Sequence, residues 1–163
     1  MPLYFAYGSN MDRAAMTAHC PRSRPVGIAQ LARHRFVIMR EGFASVVRDP
    51  GRSVHGVLWD LALADIGGLD RYENVAQGLY AKLYLSVVGP SGPRRALIYV
   101  GRNSGPGRAA ASYMEPILSA AAAFRLPQGY VAELQRHLPP GREPIAEPRA
   151  AASAYRLRER PPP

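Results

Sequence analysis

An apolar, aromatic run, Leu3-Tyr4-Phe5-Ala6-Tyr7, breaks off abruptly at Gly8-Ser9-Asn10-Met11. The run is short and rich in aromatic residues, which suits a buried strand. Glycine reaches backbone angles that a Cβ resists, and serine and asparagine favour turns. A strand ending in such a turn leaves several backbone N–H groups unpaired and pointing the same way, which makes an anion-binding concavity.

At 163 residues, with 47% apolar and 20% charged residues, the chain fits one globular domain with a sizeable core. No apolar run approaches the ~20 residues of a membrane helix. The first strand follows Met1-Pro2 with no basic region or cleavage site before it. The single cysteine, Cys20, has no partner for an internal disulfide and reads as a buried or incidental thiol. A cytoplasmic protein that does not engage a membrane is the resulting expectation.

The net charge is +9, from 21 Lys+Arg against 12 Asp+Glu. Lys82 is the only lysine. A basic chain invites a nucleic-acid partner. The arginines are scattered, however, and no interleaved aromatic and basic motif occurs. No nucleic acid is expected. A basic field would still draw small carboxylates toward the protein.

The pattern predicts a short helix from Asp12 to Ala18, with Asp12 as its N-cap or first-turn acid and Pro21 ending it. Val26 to Arg40 reads as one long bent strand or two. Ala44 to Arg48 reads as a short strand stopped by the turn signal Asp49-Pro50-Gly51. Val54 to Leu61 is another strand, with Gly56 allowing a bulge or close packing. A helix over Ala62 to Tyr72 and a hairpin of Leu79–Val88 with Arg94–Gly101 follow. Ser112 and Glu115 suggest a capping box for a helix to Phe124, with Pro116 near the end of its first turn. Pro127 opens a last helix, Gln128 to Leu138. The domain is placed at residues 1–138, and 139–163 is read as a Pro-, Arg- and Ala-rich tail. Strands with short helices between them and a helical end give a mixed α+β class.

Three segments together resemble the γ-glutamylcyclotransferase, or AIG2-like, family. They are Tyr4-Phe5-Ala6-Tyr7-Gly8-Ser9-Asn10-Met11, then Val54-His55-Gly56-Val57-Leu58-Trp59 with Leu69-Asp70-Arg71-Tyr72-Glu73, and Leu79-Tyr80-Ala81-Lys82. Asn74 stands where the family has glycine after the glutamate, and asparagine tolerates left-handed backbone angles better than most residues. The resemblance implies a small, strongly curved mixed sheet, nearly a barrel, with helices packed around it.

It also implies a reaction and a substrate. The α-amine of a γ-glutamyl group attacks its own γ-carbonyl, 5-oxoproline forms, and an amine leaves. Both reacting atoms belong to one small molecule, so positioning supplies much of the catalysis. The rest is proton transfer, for which Glu73 is the candidate general acid and base. Burial would raise its pKa toward the working pH. Tyr7, Gly8, Ser9, Asn10 and Met11 would hold the glutamyl α-carboxylate. Tyr80 and Tyr113 would line the pocket. Tyr7, Tyr72, Leu79 and Tyr80 are expected to form its apolar wall. No metal-ligand spacing, phosphate loop or dinucleotide fingerprint occurs, and no cofactor is expected. A hydrolytic set of Ser9 with His19, His34 or His55 would lack the nucleophile elbow.

Overall fold

The computed structural model describes residues 1–141. Two long strands, β2 (Arg24–Ile38) and β3 (Ala44–Asp60), form its antiparallel spine. Around them stand β1 (Leu3–Ala6), β4 (Tyr80–Gly89) and β5 (Gly92–Gly101). The order β1-β3-β2-β4-β5 closes into a barrel, in which β1 meets β5 in parallel at Tyr4↔Leu97. Closure removes the free edges that an open sheet would present. This is the curved mixed sheet that the family resemblance implies. Helices α1 (Arg13–His19), α2 (Ile66–Tyr72), α3 (Ala111–Ala123) and α4 (Gln128–Gln135) complete the fold. No helix among the described residues is long and apolar enough to cross a membrane.

The first strand is buried from Tyr4 to Ala6 without alternation. A strand covered on both faces reads as a continuous apolar run. Phe5, Leu31, Leu58, Leu97 and Met114 belong to the same buried cluster, so strands and α3 share one core. Gly56 serves close packing, and its pairing with Ala29 stays in register. A Cβ there would meet the Ala6 carbonyl oxygen at 2.2 Å. Gly68 has a similar use, since a Cβ would meet the His19 carbonyl oxygen at 2.7 Å where the end of α1 approaches α2.

Several elements differ from expectation. The Asp49-Pro50-Gly51 signal does not end a strand. Arg48 still pairs with His34, and pairing resumes at Ser53 with Ala32, so residues 49–52 bulge outward opposite Arg33. Asp49 Oδ1 accepts from Gly51 N at 3.2 Å, closing the turn locally inside a continuous ladder. The long β2 partner carries β3 across its own turn signal. The expected helix over Ala62–Tyr72 is a short 3-10 turn, Leu63–Asp65, followed by α2. The hairpin loop tightens to Pro90-Ser91 because Gly89 pairs with Gly92.

The capping box does not form. Ala110 is the N-cap of α3 and makes no side-chain cap, so Ser112 lies inside the helix. The start of α3 is set instead by burial of Met114 and by the bond from Ala44 N to the Tyr113 hydroxyl. Pro116 consequently sits in the second turn, where it removes an i to i−4 bond. The last helix stops at Gln135 rather than Leu138. Of the tail assigned to 139–163, residues 142–163 lie outside the described residues.

Candidate active site

The C-terminal end of β1 runs into a 3-10 turn, Ser9–Met11. Here Met11 N donates to Gly8 O at 3.0 Å and Asp12 N to Ser9 O at 3.2 Å. Asp12 then caps α1 through its side chain, which accepts from Ala15 N at 2.9 Å. The first N–H groups of a helical turn have no partner within it. Those of Ser9 and Asn10 make no hydrogen bond among the described residues. The strand-to-turn start therefore leaves free donors, as its sequence suggests. Gly8 is not left-handed, with φ −117°. A Cβ there would stand 3.5 Å from Ala44 Cβ and 3.7 Å from the Tyr113 hydroxyl, ordinary contact distances, so neither left-handed backbone nor a clash with the pocket wall requires glycine here.

Beside this turn lies a half-open pocket lined by Tyr4, Tyr7, Gly8, Ser9, Asn10, Ala44, Glu73, Tyr80, Tyr99 and Tyr113. Sequence-distant elements meet here. Ala44 and Tyr80 are the first residues of β3 and β4, and Tyr113 stands in the first turn of α3. Glu73 caps the end of α2. The chain then turns back through Asn74 at φ 50°, ψ 44°. The left-handed angle that glycine would take here is held by asparagine, as expected. Asn74 O accepts from Gln77 N and Leu79 N, both at 3.2 Å, which aims the following strand at the pocket.

Glu73 is the titratable centre. Its Oε1 accepts from Asn10 Nδ2 at 2.9 Å. Among the described residues it forms no ion pair. Burial pushes its pKa up to about 7, against the opposing pull of the Asn10 hydrogen bond. Asn10 is itself 2% exposed, and its Nδ2 also donates to the Tyr4 hydroxyl at 3.2 Å. Both of its N–H bonds are thus spent. Its Oδ1 is buried without a partner. An unsatisfied acceptor on a pocket-lining residue suits an incoming N–H donor.

The tyrosines give the wall fixed polarity. Tyr7 donates to Tyr99 O at 2.6 Å, and Tyr99 to Asp70 Oδ1 at 2.6 Å. Tyr80 donates to Ala44 O, while Ala44 N donates to the Tyr113 hydroxyl at 3.0 Å. Burial raises the pKa of Tyr4, Tyr7, Tyr80, Tyr99 and Tyr113, so these phenols keep their protons near neutrality.

The structure brings Tyr7, Gly8, Ser9, Asn10, Glu73, Tyr80 and Tyr113 together around one cavity. It places Met11 elsewhere, fully buried beneath the turn in the core. Tyr72 and Leu79 do not line the pocket. Tyr72 is 39% exposed, stacks on His19 at 3.9 Å between ring centres, and meets Ser9 Oγ through its hydroxyl at 3.0 Å. The residues at 101–108 are tied to the β2–β3 turn. Arg102 and Ser104 both bond Glu41, and Pro106 bridges to Met39. His34 Nδ1 lies against Ala32 O, and His55 packs on Tyr130, both away from Ser9.

Tyr4, Ala44 and Tyr99 are pocket residues that the sequence reading did not single out. A signal for Tyr99 was present in the hairpin. Tyr80 pairs with Gly101, so Tyr99 is its diagonal neighbour on the same face. Nothing local distinguished Tyr4 from the other aromatics of its run.

A model of the AIG2-like family matches residues 53–134, a stretch that contains Glu73, Tyr80, Tyr99 and Tyr113 and leaves out the Gly8–Asn10 turn. A mouse γ-glutamylcyclotransferase is 28% identical over 146 residues, covering 82% of this chain and 77% of that protein. A bovine γ-glutamylcyclotransferase is 27% identical over 95 residues, covering 52% of this chain but only 50% of the relative. The match thus spans about half the length of the bovine protein. A solved gamma-glutamyl cyclotransferase superposes with a TM-score of 0.80 at 23% identity, over 90% of this chain and 93% of that one, a likeness of fold.

Proposed function

Because this chain belongs to the AIG2-like family, we propose that its pocket cyclises a γ-glutamyl amine or amino acid to 5-oxoproline, with Glu73 as general base and then general acid. The observation that carries this reading is a glutamate buried beside a strand-end turn, held by one amide and poised to exchange protons near neutrality. The names of the mouse and bovine relatives point the same way.

The substrate is a small molecule with a free α-ammonium and α-carboxylate. The unpaired N–H groups of the Gly8–Met11 turn hold the carboxylate. The ammonium lies against Glu73 and the unpartnered Asn10 Oδ1. Glu73 takes one proton, and the freed amine attacks the γ-carbonyl carbon. The new N–C bond closes the lactam as the old C–N bond breaks. The protons shed by the attacking nitrogen pass through Glu73 to the departing one, so the glutamate ends as it began. Holding the folded-back conformer can supply ~7–11 kcal/mol when well aligned, and proton transfer a further ~10²–10⁴-fold. No step needs a cofactor.

The test is release of 5-oxoproline, followed by mass spectrometry, from a panel of γ-glutamyl amines, amino acids and peptides. Wild type is expected to release it from at least one member and Glu73→Gln from none at a comparable rate. No release by folded wild-type protein would leave a binding module on the same fold as the better reading.

A further inference from the structure

Tyr4 is buried to 3% exposure and lines the same pocket. Its hydroxyl oxygen accepts from Asn10 Nδ2 at 3.2 Å, and the second hydrogen of that nitrogen goes to Glu73 Oε1 at 2.9 Å. The phenol's own hydrogen has no acceptor among the described residues. Three other pocket tyrosines differ in this respect. Tyr7 gives its hydrogen to Tyr99 O, Tyr80 to Ala44 O, and Tyr99 to Asp70. Tyr113 is also uncommitted as a donor, but its bond runs to the Ala44 backbone and not to the Asn10–Glu73 pair.

From this arrangement we infer that Tyr4 is a second catalytic residue, whose hydroxyl donates to the γ-carbonyl oxygen of the substrate as negative charge builds on it. The inference rests on the cyclisation reading and adds a group to it. The two hydrogens of an amide nitrogen diverge, so acceptors on them stand roughly 5 Å apart. In a reactive conformer the amine lies ~3–3.5 Å from the carbonyl carbon, and the oxygen is one bond of about 1.2 Å further on. A base on the amine and a donor on the oxygen must therefore stand several ångströms apart, as Glu73 and Tyr4 do. Asn10 fixes that spacing by holding both. Its N–H also polarises the phenol and strengthens the O–H as a donor. In a buried site a donor aimed at developing charge acts without the reorganisation that water requires.

Tyr4→Phe removes the hydroxyl and keeps the ring, which packs edge-on against Tyr99 at 5.8 Å, so the fold should survive. The variant is expected to lose about 10²-fold in kcat, with little change in KM. The pH inflection that belongs to Glu73 should remain. A kcat within about three-fold of wild type would overturn the assignment, because a lost oxyanion donor costs far more. A second readout is calorimetric binding of 5-oxoproline, whose ring carbonyl keeps the former γ-oxygen. If wild type releases no lactam from any substrate, the cyclisation reading fails and this binding decides for Tyr4. Binding at least about ten-fold weaker in Tyr4→Phe would retain the contact to the carbonyl. Equal binding by the two proteins, or none by wild type, would remove it.

Discussion

Asp70 and Glu73 lie one helical turn apart at the end of α2, and the protein treats them in opposite ways. The flank of the helix facing β4 and β5 surrounds Asp70 with donors. Lys82 Nζ stands at 2.8 Å and the Tyr99 hydroxyl at 2.6 Å. Partial burial raises the Asp70 pKa, but the hydrogen bonds from Lys82 and Tyr99 and the Lys82 charge outweigh it, and the net shift is downward. At the pocket end, burial dominates Glu73, and a single neutral amide only tempers it. A carboxylate meant to stay ionised is given a cation. The one proposed to gain and lose a proton near neutrality is given burial and one hydrogen bond. Among the described residues no arginine or lysine pairs with Glu73, even though arginine is abundant.

The largest test of that contrast is Glu73→Gln. It should lower turnover by about 10²–10⁴-fold and leave the fold intact. Turnover within a few-fold of wild type would make Glu73 as structural as Asp70. The same pair of proteins carries a stability signature. A carboxylate with a native pKa of about 7 against an ordinary 4.5 favours the folded state most when both states are protonated. As pH rises from 4.5 to 7 the unfolded chain ionises first, and stability falls by roughly 3 kcal/mol. Thermal melts across this range should show the decline in wild type and not in Glu73→Gln. Identical pH dependence of the two would contradict the buried, poorly paired environment.

Asn10→Ala sharpens the comparison by removing the one group that favours ionised Glu73. In wild type, kcat/KM should rise with pH through an inflection near 7, where the basic form of Glu73 appears. The variant should move that inflection upward by about one unit or more. A hydrogen bond to a charged group is worth roughly 1.5–3 kcal/mol, and one unit is about 1.4 kcal/mol. A pH–rate series on the two proteins measures the shift directly. A downward shift, or none, would mean that another group sets the proton affinity of Glu73.

The division of labour between the two carboxylates was half legible in the sequence. The opening turn could be read because it is a local signal carried by residue type, whereas Glu73 and the glycine-like position of Asn74 stood out only against the family motif. The closed barrel and the pocket tyrosines came through the family resemblance, since periodicity alone gives strands and not their order. The Asn10–Glu73 bond spans sixty-three positions, and no local pattern announces it. The Asp49-Pro50-Gly51 signal misled because a turn inside a paired strand and a turn at its end share the same chemistry. Ser112 misled because burial of Met114 and the Tyr113 bond to β3 outweigh a capping preference. Tyr4 was hidden by its company, as one aromatic among several in a buried run.

Lys82→Ala probes the other side of the contrast, and its effect should be small. The two side chains remain 36% and 28% exposed, so the pair is solvent-screened and worth at most about 1 kcal/mol. Its sign is fixed. Asp70 has a lowered native pKa and stabilises the fold above its unfolded value, a contribution lost as pH falls through the native one. Removing Lys82 should therefore soften the protein at neutral pH and leave it nearly unchanged once Asp70 is protonated. Acid melts of wild type and variant would show the two curves converging. The informative reading is at the pocket, because Tyr99 touches Asp70 and lines the cavity. If the two carboxylates are insulated, the pH–rate inflection of Lys82→Ala stays where wild type has it. A displacement comparable to that of Asn10→Ala would show that the ion pair helps set the protonation of Glu73, and that the flank and the pocket act as one electrostatic unit.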